Sequence, residues 1–123
     1  MTGAQETWAY HKYWVMGHSQ AHYNALRLLF KGDAWSAEKE SELHRLLAEA
    51  GTIAPTGATQ RTAFQHMWGY FKKIANEEER EAYKEMIADE ASYADLTEFL
   101  VQMITNYQPK YLVNSKFYED EGF

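Results

Sequence analysis

His18 and His22 stand four residues apart, and His66 stands far along the chain in the segment Gln65-His66-Met67-Trp68-Gly69-Tyr70-Phe71-Lys72-Lys73. An imidazole titrates at about pH 6.5 when nothing perturbs it, so it can give or take a proton near neutral pH, and its free nitrogen can ligate a metal. His11, His18 and His22 lie at i, i+7 and i+11. At 100° per residue they span about 40° of one helix. Val15, Leu26 and Leu29 share or adjoin that arc, and Trp8 borders it, so the stripe predicts an inward face. Three readings stay open. The i, i+4 pair His18 and His22 could hold a metal with His66 as a third ligand, although the known helical signature places Glu after its first His and here Ser19 and Gln20 follow. The rings could instead be structural, bonded to hydroxyls or main-chain carbonyls in an aromatic core. Or His18, His22, His66 and Tyr70 could line a polar pocket for an organic ligand, with acid–base capacity.

A second group stands beside the first. Arg61, Gln65, Trp68 and Lys72 recur at helical spacing, while Ala63, Met67, Tyr70 and Ile74 make the opposite, apolar stripe. Two cations, an amide and an indole suit phosphate or carboxylate groups and a stacked base. The bland alternative is a solvated face with one exposed indole. No Gly-rich phosphate loop, nucleophile elbow or paired catalytic carboxylate is visible, so neither a catalytic residue nor a cofactor is assigned.

Five helices and no strands must position these groups. The periodicity predicts a first helix from about Thr7 to Lys31, stopped by Gly32-Asp33, with Gly17 marking a bend or close packing. Ser36 caps a second helix, about Ala37 to Ala50. A loop through Pro55 leads to a third, about Ala58 to Ile74, which carries the motif. Asn76 with Glu79 forms a capping box for a fourth, to about Glu90. Ser92 with Asp95 starts a fifth, to about Tyr107, ended by Pro109. The broad stripes of the first, third and fifth helices predict the core, and Tyr107, Tyr111, Phe117 and Tyr118 predict a docked aromatic tail, with Asn114 capping or lining a cleft. The expectation is an all-α compact bundle in a single domain, 1–123.

Composition narrows the function. There is no cysteine, which removes disulfides, thiolate nucleophiles and cysteine-held clusters. The net charge of −6 argues against broad binding to nucleic acid by phosphate neutralisation. Charge is uneven, however: residues 51–75 carry Arg61, Lys72 and Lys73 with no acid, whereas 76–91 are strongly acidic. No apolar run approaches the roughly 20 residues of a membrane span. The opening Met1–Glu6 has neither the basic start nor the apolar stretch of a secretory leader, so a cytoplasmic location is expected.

The segment Gln65-His66-Met67-Trp68-Gly69-Tyr70-Phe71-Lys72 resembles the Gln-His-x-x-Gly-Tyr-Phe-Lys core of the YbgA-like bacterial domain of unknown function. His18-Ser19-x-x-His22-Tyr23 and Tyr111-Leu112 with Tyr118 agree with it. The resemblance implies an all-helical domain, found alone or behind an iron–sulfur desulfidase domain that acts on thiolated uracil. It therefore implies a binding or accessory module for a nucleobase, nucleotide or RNA element, with a desulfidase-type partner protein. Gln60 and Thr62 replace a His and an Asn common in the family, and Ser115 replaces a Gln. Two alternatives stand beside this reading: a small metal- or histidine-dependent enzyme, and a protein-interaction module.

Overall fold

The computed structural model describes residues 3–32 and 34–123. Among them the chain forms helices and turns and no strand. Eight α-helices follow in order: α1 Gly3–His18, α2 Gln20–Leu29, α3 Ala37–Gly51, α4 Gly57–Trp68, α5 Glu77–Ile87, α6 Tyr93–Tyr107, α7 Lys110–Val113 and α8 Lys116–Asp120, with a 3-10 turn at Glu90–Ser92 before α6. The all-α expectation holds. The count differs because the first predicted helix is two, and the aromatic tail is built from two short ones. No helix of the described residues is long and apolar enough to cross a membrane.

The break falls at Ser19. Its backbone is extended, at φ −157° and ψ 116°, and its Oγ accepts the His22 backbone N–H, so Ser19 is the N-cap of α2. The histidine stripe runs across the break and hides it from a periodicity argument. Two contacts hold the chain there. The Thr59 hydroxyl of α4 donates to the Gly17 carbonyl at 2.6 Å, satisfying a group that the broken ladder leaves free. Gly17 also lies against the ring of Phe123, where any Cβ would collide with it. α2 ends at Leu29 with Phe30 as its C-cap, two residues short of the expected Lys31. Gly32 follows the cap at φ +98°, a conformation that favours glycine; the Asp33 half of the predicted stop lies outside the described residues.

The second correction concerns the motif. α4 ends at Trp68, not Ile74, and residues 69–74 form successive turns, with Gly69 as C-cap. Beyond Trp68 the helical stripe no longer applies. Ala63 and Met67 are buried as predicted, but Tyr70 and Ile74 are exposed, and Phe71 enters the core instead.

Two apolar clusters organise the packing. The larger joins Tyr13 and Met16 of α1, Phe64 and Met67 of α4, Phe71, and Leu96, Leu100, Met103 and Ile104 of α6, closed below by Leu112 and Phe117. These are the helices whose stripes are broadest. The smaller joins Trp8 and Val15 to Leu26, Leu43 and Leu46, which seats α2 and α3 on α1. The caps read at Ser36 and at Asn76–Glu79 are made; Asn76 Oδ1 accepts the Glu79 N–H at 2.8 Å and Glu79 Oε1 accepts the Asn76 N–H at 2.9 Å. Ser92 makes no side-chain cap bond; the chain enters α6 from the 3-10 turn. The tail docks, with Phe117 buried and Phe123 against Phe64 and Phe117, but Tyr111 is left exposed.

Candidate functional site

The three histidines have separate surroundings. His18 is only 7% exposed. Its Nδ1–H donates to the Ile53 carbonyl at 2.7 Å and its ring lies 4.0 Å from that of Trp14, leaving Nε2 buried with no partner among the described residues. His22 bridges two groups: Nε2 meets Glu49 Oε1 at 2.9 Å and Nδ1 meets Ser19 Oγ at 2.7 Å. His66 is exposed on α4. His18, His22 and His66 share no partner, and none of them lines the cleft described below. Among the described residues no group of three His, Cys, Asp or Glu side chains is placed to hold a metal ion. His11 keeps to its own helix, its Nδ1–H donating to the Thr7 carbonyl at 2.8 Å; burial is the main cause of its lowered pKa.

Ser19, His22 and Glu49 have the residue types of a nucleophile relay. Their geometry gives them another task. With the carboxylate on Nε2, the proton sits there and Nδ1 accepts from the Ser19 hydroxyl. The same Ser19 oxygen accepts the His22 backbone N–H at 3.2 Å. Both roles of the hydroxyl are thus taken by one residue of α2, and Ser19 is itself buried. The trio is a helix cap tied to α3, not an open nucleophile.

The cationic stripe is likewise divided. Arg61 Nε donates to the Tyr93 hydroxyl at 2.9 Å, and that hydroxyl donates to the Ile87 carbonyl at 2.9 Å, which pins α4 to the junction of α5 and α6. The hydrogen bond to Tyr93 is the main cause of the raised pKa of Arg61. Trp68 stacks on Tyr83 at 4.3 Å with the rings 6° from parallel, so its indole is part of a wall between α4 and α5. Burial there pushes the Tyr83 phenol up to about 12. Gln65 and Lys72 are exposed. Two of the four groups read as ligand contacts are therefore engaged in packing.

Tyr70 goes elsewhere. The turn after α4 carries it across to α1, where its hydroxyl lies 2.9 Å from that of Tyr13 and its ring meets the Tyr13 ring edge-on at 6.1 Å. This pair lines an open cleft of about 320 Å³, together with Gln5, Trp8, Ala9, Lys12, Phe30 and Tyr111. A second hollow of about 430 Å³ is lined by Glu6, Ala9, Tyr10, Lys110, Tyr111 and Asn114; Ala9 and Tyr111 belong to both, so the two form one groove. Asn114 thus lines a cleft, as its position in the tail suggests, while donating to the Lys110 carbonyl at 3.0 Å. Burial, then the bond to Tyr70, raises the pKa of Tyr13 and keeps its phenol neutral. Burial also raises Tyr10, with Glu119 adding to the shift.

Of the predicted site residues, only Tyr70 reaches this cleft. Trp8, Lys12, Tyr13, Phe30 and Tyr111 were not predicted as site residues. One sign of them is in the sequence: Gln5, Trp8, Ala9 and Lys12 recur at i, i+3, i+4 and i+7 on the face of α1 that begins at Trp8, beside the histidine arc. An indole and an ammonium on such a stripe are as suggestive as those on α4.

Residues 12–120 match the family described as Protein of unknown function (DUF1722), the YbgA-like family, and the chain belongs to it. No curated protein and no solved structure matches the chain.

Proposed function

We propose that this member of the DUF1722 family is a binding module whose cleft takes a flat, anionic ligand of the nucleobase or nucleotide class. The observation that carries this reading is the lining of the cleft. Trp8, Phe30, Tyr70 and Tyr111 offer aromatic surface, and Lys12 and Lys110 offer positive charge along the same groove. Trp8 and Phe30 already lie nearly parallel, 6.2 Å apart and 13° from coplanar. A base can stack on such surface whatever its identity, and an ammonium meets phosphate as a point charge. Among the described residues that line the groove, Lys12 and Lys110 outnumber the single acid Glu6, with Glu119 beside Tyr10 at its edge, so its lining carries a net positive charge, unlike the whole chain. The desulfidase-type partner implied by the motif would supply any cluster chemistry; this chain has no cysteine for it.

Titration of the intact chain with UMP, AMP and a short oligouridylate, followed by calorimetry and tryptophan fluorescence, tests the reading. Saturable binding that weakens with salt, and that Lys12→Ala weakens further, is expected. Absence of binding by all three probes, or binding unchanged by Lys12→Ala and Tyr111→Ala together, removes it.

A further inference from the structure

The two phenols at the head of the cleft are not equivalent. Tyr13 is 8% exposed and Tyr70 is 36% exposed, yet their hydroxyls share one hydrogen bond of 2.9 Å. A phenol has one proton to donate and lone pairs to accept with. If Tyr70 donated, the proton of Tyr13, the more buried of the two phenols, would be left with no other acceptor among the described residues. An orphaned buried donor is costly, whereas a proton on the exposed partner can reach water or a ligand. The favoured arrangement therefore has Tyr13 donating to the Tyr70 oxygen. Accepting that bond also polarises the Tyr70 O–H and makes it a better donor.

We infer that Tyr70 is a specificity-determining donor, which makes the cleft prefer bases that present a ring carbonyl over those that present an amino group at the same position. This rests on the reading of the cleft as a nucleotide site and narrows it. The remaining charge on the cleft wall points the same way, because the Lys12 ammonium lining it is a donor with no acceptor capacity. A ligand edge rich in acceptors is matched there. An exocyclic amino group set against Tyr70 would have to share the oxygen that already accepts from Tyr13, a poorer match than a carbonyl that accepts the Tyr70 proton.

The pairs UMP with CMP, and IMP with AMP, differ at that position by carbonyl against amino. Their dissociation constants, measured calorimetrically with the intact wild-type chain, Tyr70→Phe and Tyr13→Phe, decide the matter. The expected result is a preference of roughly fivefold for UMP over CMP and for IMP over AMP, the size of one net neutral hydrogen bond. Tyr70→Phe should bring both ratios close to one. Its ring is exposed, so the fold should tolerate the loss of one oxygen. Tyr13→Phe should leave intermediate ratios, since the Tyr70 donor remains but loses its support. Equal affinities in the wild type, or a preference that survives Tyr70→Phe, overturn the inference while the cleft stays a nucleotide site. No binding of any of the four overturns both.

Discussion

One side of the α1–α2 segment is closed and the other is open, although both carry groups that could do chemistry. On the closed side, His18 and His22 are bonded to a carbonyl, a hydroxyl and a carboxylate, and the hydroxyl of Ser19 both donates and accepts. On the open side, Trp8, Lys12 and Tyr13 face a cleft completed by Phe30, Tyr70 and Tyr111. The contrast teaches that an imidazole stripe on an inward face is a packing problem before it is a site. Such rings sit among apolar residues and must find partners there, and those partners fix the rings in place: His22 is bonded at both nitrogens and His18 at Nδ1. The groups along the cleft keep an edge open to it, although Trp8 and Tyr13 also belong to the core clusters. The closed side should therefore govern stability, and the open side ligand binding.

The largest effect expected is on the closed side. Gly17→Ala would drive a methyl group into the Phe123 ring, which is wedged against Phe64 and Phe117. Such overpacking costs about 1–3 kcal/mol, read as a lower urea midpoint with an unchanged slope. The same substitution in a Phe123→Ala background should cost much less, because the colliding group is gone. Equal costs in both backgrounds would show that Gly17 serves something other than this contact. On the open side, Tyr111→Ala should weaken nucleotide binding by about tenfold through lost stacking. Tyr111 is half exposed, so the stability of the fold should barely move. A clear fall in stability with binding intact would reverse the assignment of the two sides.

Alkaline pH separates the sides differently. Burial raises the Tyr13 phenol and pushes Tyr83 up to about 12, while the unfolded chain ionises near pH 10. Above pH 10 the folded chain holds protons that the unfolded chain has lost, so stability must fall as pH rises; for Tyr83 the window closes near 12. Each phenol contributes a slope of at most about 1.4 kcal/mol per pH unit. Urea titrations at pH 9, 10 and 11 should show a shallower decline in Tyr83→Phe, and a decline identical to wild type would discount its burial. Smaller again is Ser19→Ala, which removes the cap of α2 and the partner of the His22 ring. A loss of about 1 kcal/mol is expected, with nucleotide affinity unchanged.

Much of the fold was legible because local chemistry dictated it. Ser36 and Asn76–Glu79 are end signals whose meaning does not depend on the rest of the chain. The stripes of α1, α4 and α6 named the core for the same reason. The break at Ser19 was not legible, since the histidine and leucine stripe continues past it, and the groups that hold it, Thr59 and Phe123, come from distant sequence. The end of α4 was hidden too. Gly69 caps it with a right-handed backbone at φ −52°, so nothing in its conformation demands glycine, and no proline follows. Extending the helix to Ile74 put Tyr70 on the wrong stripe and left Phe71 out of the core. The cleft could not be read at all from one segment, because α1, Phe30, the turn after α4 and α7 each supply part of it.

The smallest effect discriminates best between the two surfaces that carry positive charge. Lys72 was favoured by the motif on α4, whereas the groove presents Lys12 and Lys110. Arg61 and Trp68, the companions of Lys72 on that stripe, are held by Tyr93 and Tyr83. A cation that meets a ligand phosphate releases about one counterion, so removing it reduces the slope of log affinity against log salt by about one. If the groove is the site, Lys12→Ala should lose that increment with an oligouridylate, and Lys72→Ala should keep the wild-type slope. Lys72 is exposed, and Lys12 is partly buried with its ammonium 5.8 Å from the centre of the Tyr13 ring, so equal urea midpoints for the two variants are the control for this reading. The opposite pattern, with Lys72 carrying the salt dependence and Lys12 silent, would return the ligand to the face of Gln65 and His66. It would also mean that the indole of Trp68 leaves Tyr83 to stack on the base, which the fluorescence of a Tyr83→Phe variant would report.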